Sequence, residues 1–160
     1  MGGISVGLVN HFAGTTDALT RIGVRQPLDP DDPWGSASDI TSTDWSATLT
    51  SQLHALSASW SPPEAWQGSL AAAGPEMPAT SLGEMALMEV VVHGWDLARS
   101  TGDELRVSPA LGAEVYRSVA DTAELGRQMG AYGPPVWVST DASDLDRALG
   151  AAGRDPVWRG

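Results

Sequence analysis

The sequence predicts an all-α protein, most simply an antiparallel helical bundle with long connections. Three observations carry this. Apolar residues recur at helical spacing in four separate segments. Capping serines and closing glycines or prolines mark several segment ends. Extended pattern is confined to one short stretch, VWVST at 136–140.

Composition fits one packed domain. The chain has 160 residues, 42% of them hydrophobic and 18% charged, and a chain of this length buries roughly 68–70% of its unfolded surface. Twenty acidic against nine basic side chains give a net charge of -11, which argues against binding to nucleic acid or anionic membrane, since both need clustered cations. There is no cysteine, so disulfides, thiolate metal ligands and a cysteine nucleophile are excluded. No apolar run reaches the roughly 18–20 residues that span a bilayer, and the start MGGISVGLVNHF lacks the basic region of a signal peptide. A cytoplasmic protein is expected. All nine basic residues are arginine, a usage bias common in high-GC bacteria.

The first helix is expected over 3–22, with Ile4, Leu8, His11, Thr15, Ala18 and Ile22 on one face. Gly7 and Gly14 each cost about 1 kcal/mol of helix propensity, so packing must hold it. Residues 25–44 carry three prolines and five aspartates without periodicity and read as a long loop, a feature usually functional or mobile. Leu49, Leu53, Leu56 and Trp60 stripe a second helix starting after Thr43 or Asp44 and stopping before Pro62; a Pro/Gly-rich loop then runs to Pro78. Ser81 with Glu84 forms a capping box that should open a third helix, ending near Gly102. Ser108-Pro109 opens a fourth through Val115, Val119 and Ala123 to about Met129. A last short helix is expected around Ser143–Leu149.

The third helix carries the candidate chemistry. Met85, Leu87, Met88, Val90, Val91, Val92, Trp95 and Leu97 cover most of its circumference, so it is expected to be largely buried. Glu89, His93 and Asp96, at i, i+4 and i+7, fall within about 60° of one another. A buried ionised carboxylate costs several kcal/mol, so Glu89 must meet a cation, become protonated or reach water. His11 lies in the apolar stripe of the first helix and should face inward as well. Two histidines and a carboxylate would hold Zn²⁺, Ni²⁺, Fe²⁺ or Mn²⁺ and leave positions open for water or substrate. The alternative reading is a plain Glu89–His93 pair beside a satisfied core His11. Asp96 would orient a ligand imidazole or bind Arg99 or a backbone amide. Arg99 favours its helix C-terminus or clamps a carboxylate substrate. His54, one position off its stripe, reads as a solvated or boundary residue. The seven tryptophans read as mostly core or boundary, with Trp34 in the long loop as a pocket residue.

The segment EVVVHGWDLARSTG, residues 89–102, resembles the motif of the mycothiol-dependent maleylpyruvate isomerase-like family within the DinB-like metal-binding four-helix bundles. GLVNHFAG around His11 is similar to that family's first-ligand helix, and PPVWVSTDASDLDRALGAAGRDPVW resembles the ending of a small single-domain subgroup. The similarity spans almost the whole chain from about residue 4. It implies one DinB-like domain over 1–160 that binds a divalent ion through His11, Glu89 and His93, with zinc as first candidate and nickel as second. It also implies a low-molecular-weight thiol, mycothiol or one like it, as cosubstrate. Nothing corresponds to the isomerase's separate C-terminal domain.

The expected activity is metal-dependent transfer of such a thiol to a small electrophile, or isomerisation of one, the metal lowering the thiol's pKa. Asp96 would orient the ligands. A metal-dependent hydrolase, or a non-enzymatic stress module binding metal or a small ligand, is the alternative. Family members carry a further N-terminal helix ahead of the first-ligand helix, and the resemblance, which begins at about residue 4, leads to the expectation that this helix is missing here. An apolar groove is therefore expected beside Ile4, Leu8 and Leu82, covered in a homodimer or by residues upstream of the given start.

Overall fold

The computed structural model describes residues 6–35, 39–41, 44–72 and 74–159. In chain order these form α1 (Val6–Gly23), α2 (Trp45–Trp60), a 3₁₀ turn (Pro63–Trp66), β1 (Ser69–Ala71), β2 (Glu76–Pro78), α3 (Ala79–Ser100), α4 (Pro109–Gln128) and α5 (Asp144–Ala151). The protein is mostly helical, as the periodicity predicts. Ile4 and the alternative helix start at Thr43 lie outside the described residues. None of the described helices is long and apolar enough to cross a membrane. The chain divides into two compact units, one reaching to His93 and one from Gly94 onward.

In the first unit α1 packs on α2. Asp44 caps α2, its side chain accepting from the Ala47 N–H, because the first helical amides have no intrahelical acceptor. Trp60 Nε1 donates to the Leu19 carbonyl at 3.0 Å, pinning the end of α2 to α1. Gly23 permits this approach, since a Cβ there would lie 2.9 Å from Trp60 Nε1. The core unites Leu19 and Ile22 of α1, Leu56 and Trp60 of α2, Ala65, Leu70 of β1, and Ala79, Leu82 and Ala86 of α3.

Four expectations for this unit are corrected. Thr15, Ala18 and Ile22 of the expected α1 stripe are buried, but Leu8 is only half-buried and His11 is exposed, while Val9, Phe12, Thr16 and Leu19 are buried beside the stripe. Phe12 and Leu19 remove more apolar area from water than an imidazole does, so in this broad buried face they take the core and leave His11 at its edge. The Pro/Gly-rich segment before Pro78 contains an antiparallel hairpin, Ser69 opposite Pro78 and Ala71 opposite Glu76. That hairpin runs directly into α3, which starts at Ala79 rather than Ser81. The Ala79 N–H donates to the Gly68 carbonyl at 2.9 Å, so the first amide of α3 is met by backbone just ahead of the hairpin. Leu82, expected to line a vacant groove, is 0% exposed; Ala65 and Leu70 pack in the cluster around it.

The loop after α1 forms no helix or strand among its described residues. It is nonetheless tied down. Asn10 Nδ2 donates to Asp39 Oδ1 at 3.2 Å, and the Ile40 N–H donates to Asn10 Oδ1 at 3.1 Å. Further along, the loop backbone lies directly on Gly14: a Cβ there would sit 2.6 Å from the carbonyl oxygens of Trp34 and Gly35. The glycine that weakens α1 locally is required by the loop that crosses it.

In the second unit α4 packs on α5. Ser108 caps α4 by accepting from the Leu111 N–H, with Pro109 in the first turn, and Ser143 caps α5 by accepting from the Asp146 N–H. Val115, Val119, Ala148, Leu149 and Ala152 are buried. The VWVST stretch forms no strand; its Val136 N–H donates to the Gly150 carbonyl at 2.9 Å and its Ser139 carbonyl accepts from the Ala142 N–H at 3.1 Å. Its alternation turns Trp137 out to 86% exposure, and Trp158 and Trp66 are exposed too, while Trp60 and Trp95 are buried and Trp34 and Trp45 half-buried, in line with a mostly core or boundary placement.

Candidate metal centre

Glu89 and His93 lie one turn apart on α3, and the middle of α1 supplies His11. The His93 Nε2 lies 3.1 Å from Glu89 Oε2, and the His11 Nε2 lies 3.7 Å from the same oxygen. The two imidazoles meet edge to face, centroids 4.8 Å apart at 83°, while Phe12 packs on the other ring at 5.9 Å. One donor atom from each residue lies within 4.8 Å of the others, and no fourth His, Asp or Glu joins them among the described residues. The structure thus brings together the three residues read as ligands from the sequence.

Burial grades across the site. The side chain of His93 is 14% exposed, Glu89 27% and His11 55%. The centre therefore has a floor on α3 and an open edge at His11. This departs from the inward-facing His11 expected from the stripe: the imidazole lies at the edge of the broad buried face of α1.

Burial alone would push the Glu89 carboxyl up, but the two imidazoles beside it outweigh that and hold it down at about 2. It is ionised at neutral pH. Its Oε2 is buried and makes no well-aligned hydrogen bond, although both imidazoles lie beside it. An ion could therefore bond to that oxygen without displacing an aligned donor. With metal–ligand bonds of about 2.0–2.1 Å, tetrahedral donors stand roughly 3.3 Å apart. The 3.1 and 3.7 Å spacings bracket that distance, and all three donor atoms lie within 4.8 Å of one another. The donor set fits a divalent ion.

The other predicted residues lie elsewhere. Both carboxylate oxygens of Asp96 accept from Arg154, so its charge is matched by a cation in the tail that sequence reading did not consider, and not by Arg99. Arg99 stacks over Trp95, 5.5 Å from the ring centroid, and lines a cavity in the second unit. Trp34 is half-buried and packs on the core of the first unit. His54 is exposed, as expected. Asn10 was missed: it anchors the long loop one residue from His11, and no sequence pattern distinguishes it from any other polar residue on a helix flank.

No protein-family model, no curated protein and no solved structure matches this chain.

Proposed function

We propose that the protein is a divalent-metal-dependent enzyme in which His11, Glu89 and His93 hold the ion, zinc first and nickel second, and a low-molecular-weight thiol such as mycothiol is transferred to, or isomerises, a small electrophile. The observation that carries this reading is the half-open donor set: three ligands, a buried oxygen without a well-aligned hydrogen bond and one exposed imidazole. A structural site closes its shell with four protein ligands, whereas a catalytic one keeps positions for water or substrate. The likeness of residues 89–102 to the maleylpyruvate isomerase-like, DinB-like bundles supports the same assignment.

The ion, when bound, would supply a Lewis acid that makes a thiolate or hydroxide available at neutral pH. The chain's own residues perform the rest. Glu89 holds its negative charge because the imidazoles beside it favour ionisation. Phe12, 2% exposed against the His93 ring, keeps water from that side. The exposed edge at His11 is where a thiol and its acceptor can enter. Since the chain has no cysteine, the sulfur must come from the cosubstrate.

Calorimetry of mycothiol with the metal-loaded protein, in two buffers of different ionisation enthalpy, tests this. Metal-dependent binding with release of about one proton is expected, because a thiol ionises on coordination. No thiol binding, with metal-dependent hydrolysis of test esters or amides instead, would replace the thiol reading with a hydrolase.

A further inference from the structure

The second unit contains a cavity of about 640 Å³ that has no part in the metal reading. Its wall is apolar at Trp95, Leu105, Val107 and Pro109, and Arg99 lines it as well. Arg99 is half-buried, its guanidinium stacks on Trp95, and its Nε is buried without a hydrogen-bond partner among the described residues. The other half-buried arginines all have acceptors: Arg127 on the Ala151 carbonyl, Arg147 on Asp144 and Arg154 on Asp96. In a chain with eleven excess negative charges, a cation without an acceptor beside an apolar cavity is notable, because a buried donor without a partner is destabilising.

We propose that this cavity binds a small molecule with an apolar, aromatic-sized body and one carboxylate, whose oxygens give Arg99 the acceptor it lacks while the body packs on Trp95 and Leu105. Guanidinium matches a carboxylate in shape and charge. One negative charge is favoured over two because Glu104, Asp144 and Asp146 line the same cavity. Glu104 is paired with Arg106, which lines the cavity too, and Asp144 with Arg147, while Asp146 accepts only from the neutral Ser143 hydroxyl. None of them is bonded to Arg99, and their summed field would repel a dianion more than a monoanion. A cationic ligand would face Arg99 itself.

Benzoate is the probe, titrated calorimetrically into the full chain with benzamide, benzylamine and inorganic phosphate as comparisons. Saturable benzoate binding is expected, at least about tenfold tighter than benzamide, as the loss of a charge-assisted hydrogen bond implies. Arg99→Gln should weaken benzoate by at least about tenfold, with Arg99→Lys recovering part of it. Benzamide, benzylamine or phosphate binding as tightly as benzoate would overturn the proposal, as would an Arg99→Gln protein that binds normally. Each titration is repeated with chelator: binding abolished by chelator alone would place the carboxylate on a metal and also overturn it, whereas retained binding keeps this site separate from the fate of the metal reading. Should Arg99→Gln fail to fold, the Nε–Hε resonance of Arg99 in the wild-type protein decides. It must move on benzoate addition, and an unmoved resonance at saturation refutes the site.

Discussion

Arg154 clasps Asp96 with two nitrogens, Nη2 to Oδ2 at 2.9 Å and Nε to Oδ1 at 3.3 Å, across 58 residues of sequence. Both side chains are about four-fifths removed from solvent, 20% and 18% exposed. The pair ties α3 to the tail within the second unit. A two-pronged, largely buried ion pair is sensitive to loss of one partner, because the remaining charge stays desolvated.

Asp96→Asn should therefore cost about 2–3 kcal/mol of stability, read as a fall in Tm of several degrees for a chain of this size. Its metal content should equal that of the wild type. Elemental analysis of Asp96→Asn checks the second point, and a loss of metal would restore the orienting role first expected for this residue.

For the centre itself, His93→Ala should abolish tight binding of one divalent ion per chain, while His54→Ala, an exposed histidine far from the donor set in sequence, should bind as wild type does. Inductively coupled plasma measurement of the purified proteins gives the stoichiometry. Equal metal in His93→Ala and wild type would remove His93 from the ligands. Adding metal should raise Tm in the wild type and not in His93→Ala, because an ion that binds only the folded state stabilises it.

Acid should reveal Glu89. Its folded pKa, held down at about 2, lies below its unfolded value near 4.3. A depressed carboxylate pKa contributes stability that is present above the unfolded value and is lost as pH falls through the folded one. In metal-free protein, urea denaturation should show the wild type gaining on Glu89→Gln between pH 2 and about 5, with the two converging toward pH 2. A constant gap over that range would mean the imidazoles do not support the carboxylate.

Gly14→Ala gains about 1 kcal/mol of helix propensity and should still destabilise the protein. The new Cβ would lie 2.6 Å from two backbone carbonyl oxygens of the crossing loop, and neither can swing aside as a side chain would. A net loss of about 1–3 kcal/mol is expected, and faster proteolysis of the 24–44 loop should accompany it. A Gly14→Ala protein as stable as wild type, with an unchanged cleavage pattern, would show that the loop does not press on α1.

Local features were legible in the letters. Asp44, Ser108 and Ser143 cap the helices they introduce because a cap needs only its own next three residues. Glu89 and His93 share a face because the period of α3 places them there whatever surrounds the helix. Features that depended on competition between segments were settled only by tertiary packing. Ser81 and Glu84 spell a helix start, yet the Gly68 carbonyl, just ahead of the hairpin, reaches Ala79 first. Asp96 had several nearby candidates, and its partner arrived from Arg154, 58 positions away. Thr15, Ala18 and Ile22 of the apolar stripe are buried as the letters predict, but Phe12 and Leu19 bury more area beside it and leave His11 at the edge of the core. Its imidazole is 55% exposed and still within 3.7 Å of Glu89, so the sequence by itself supplied three donor side chains while the packing of α1 decided that the group they form has an open side.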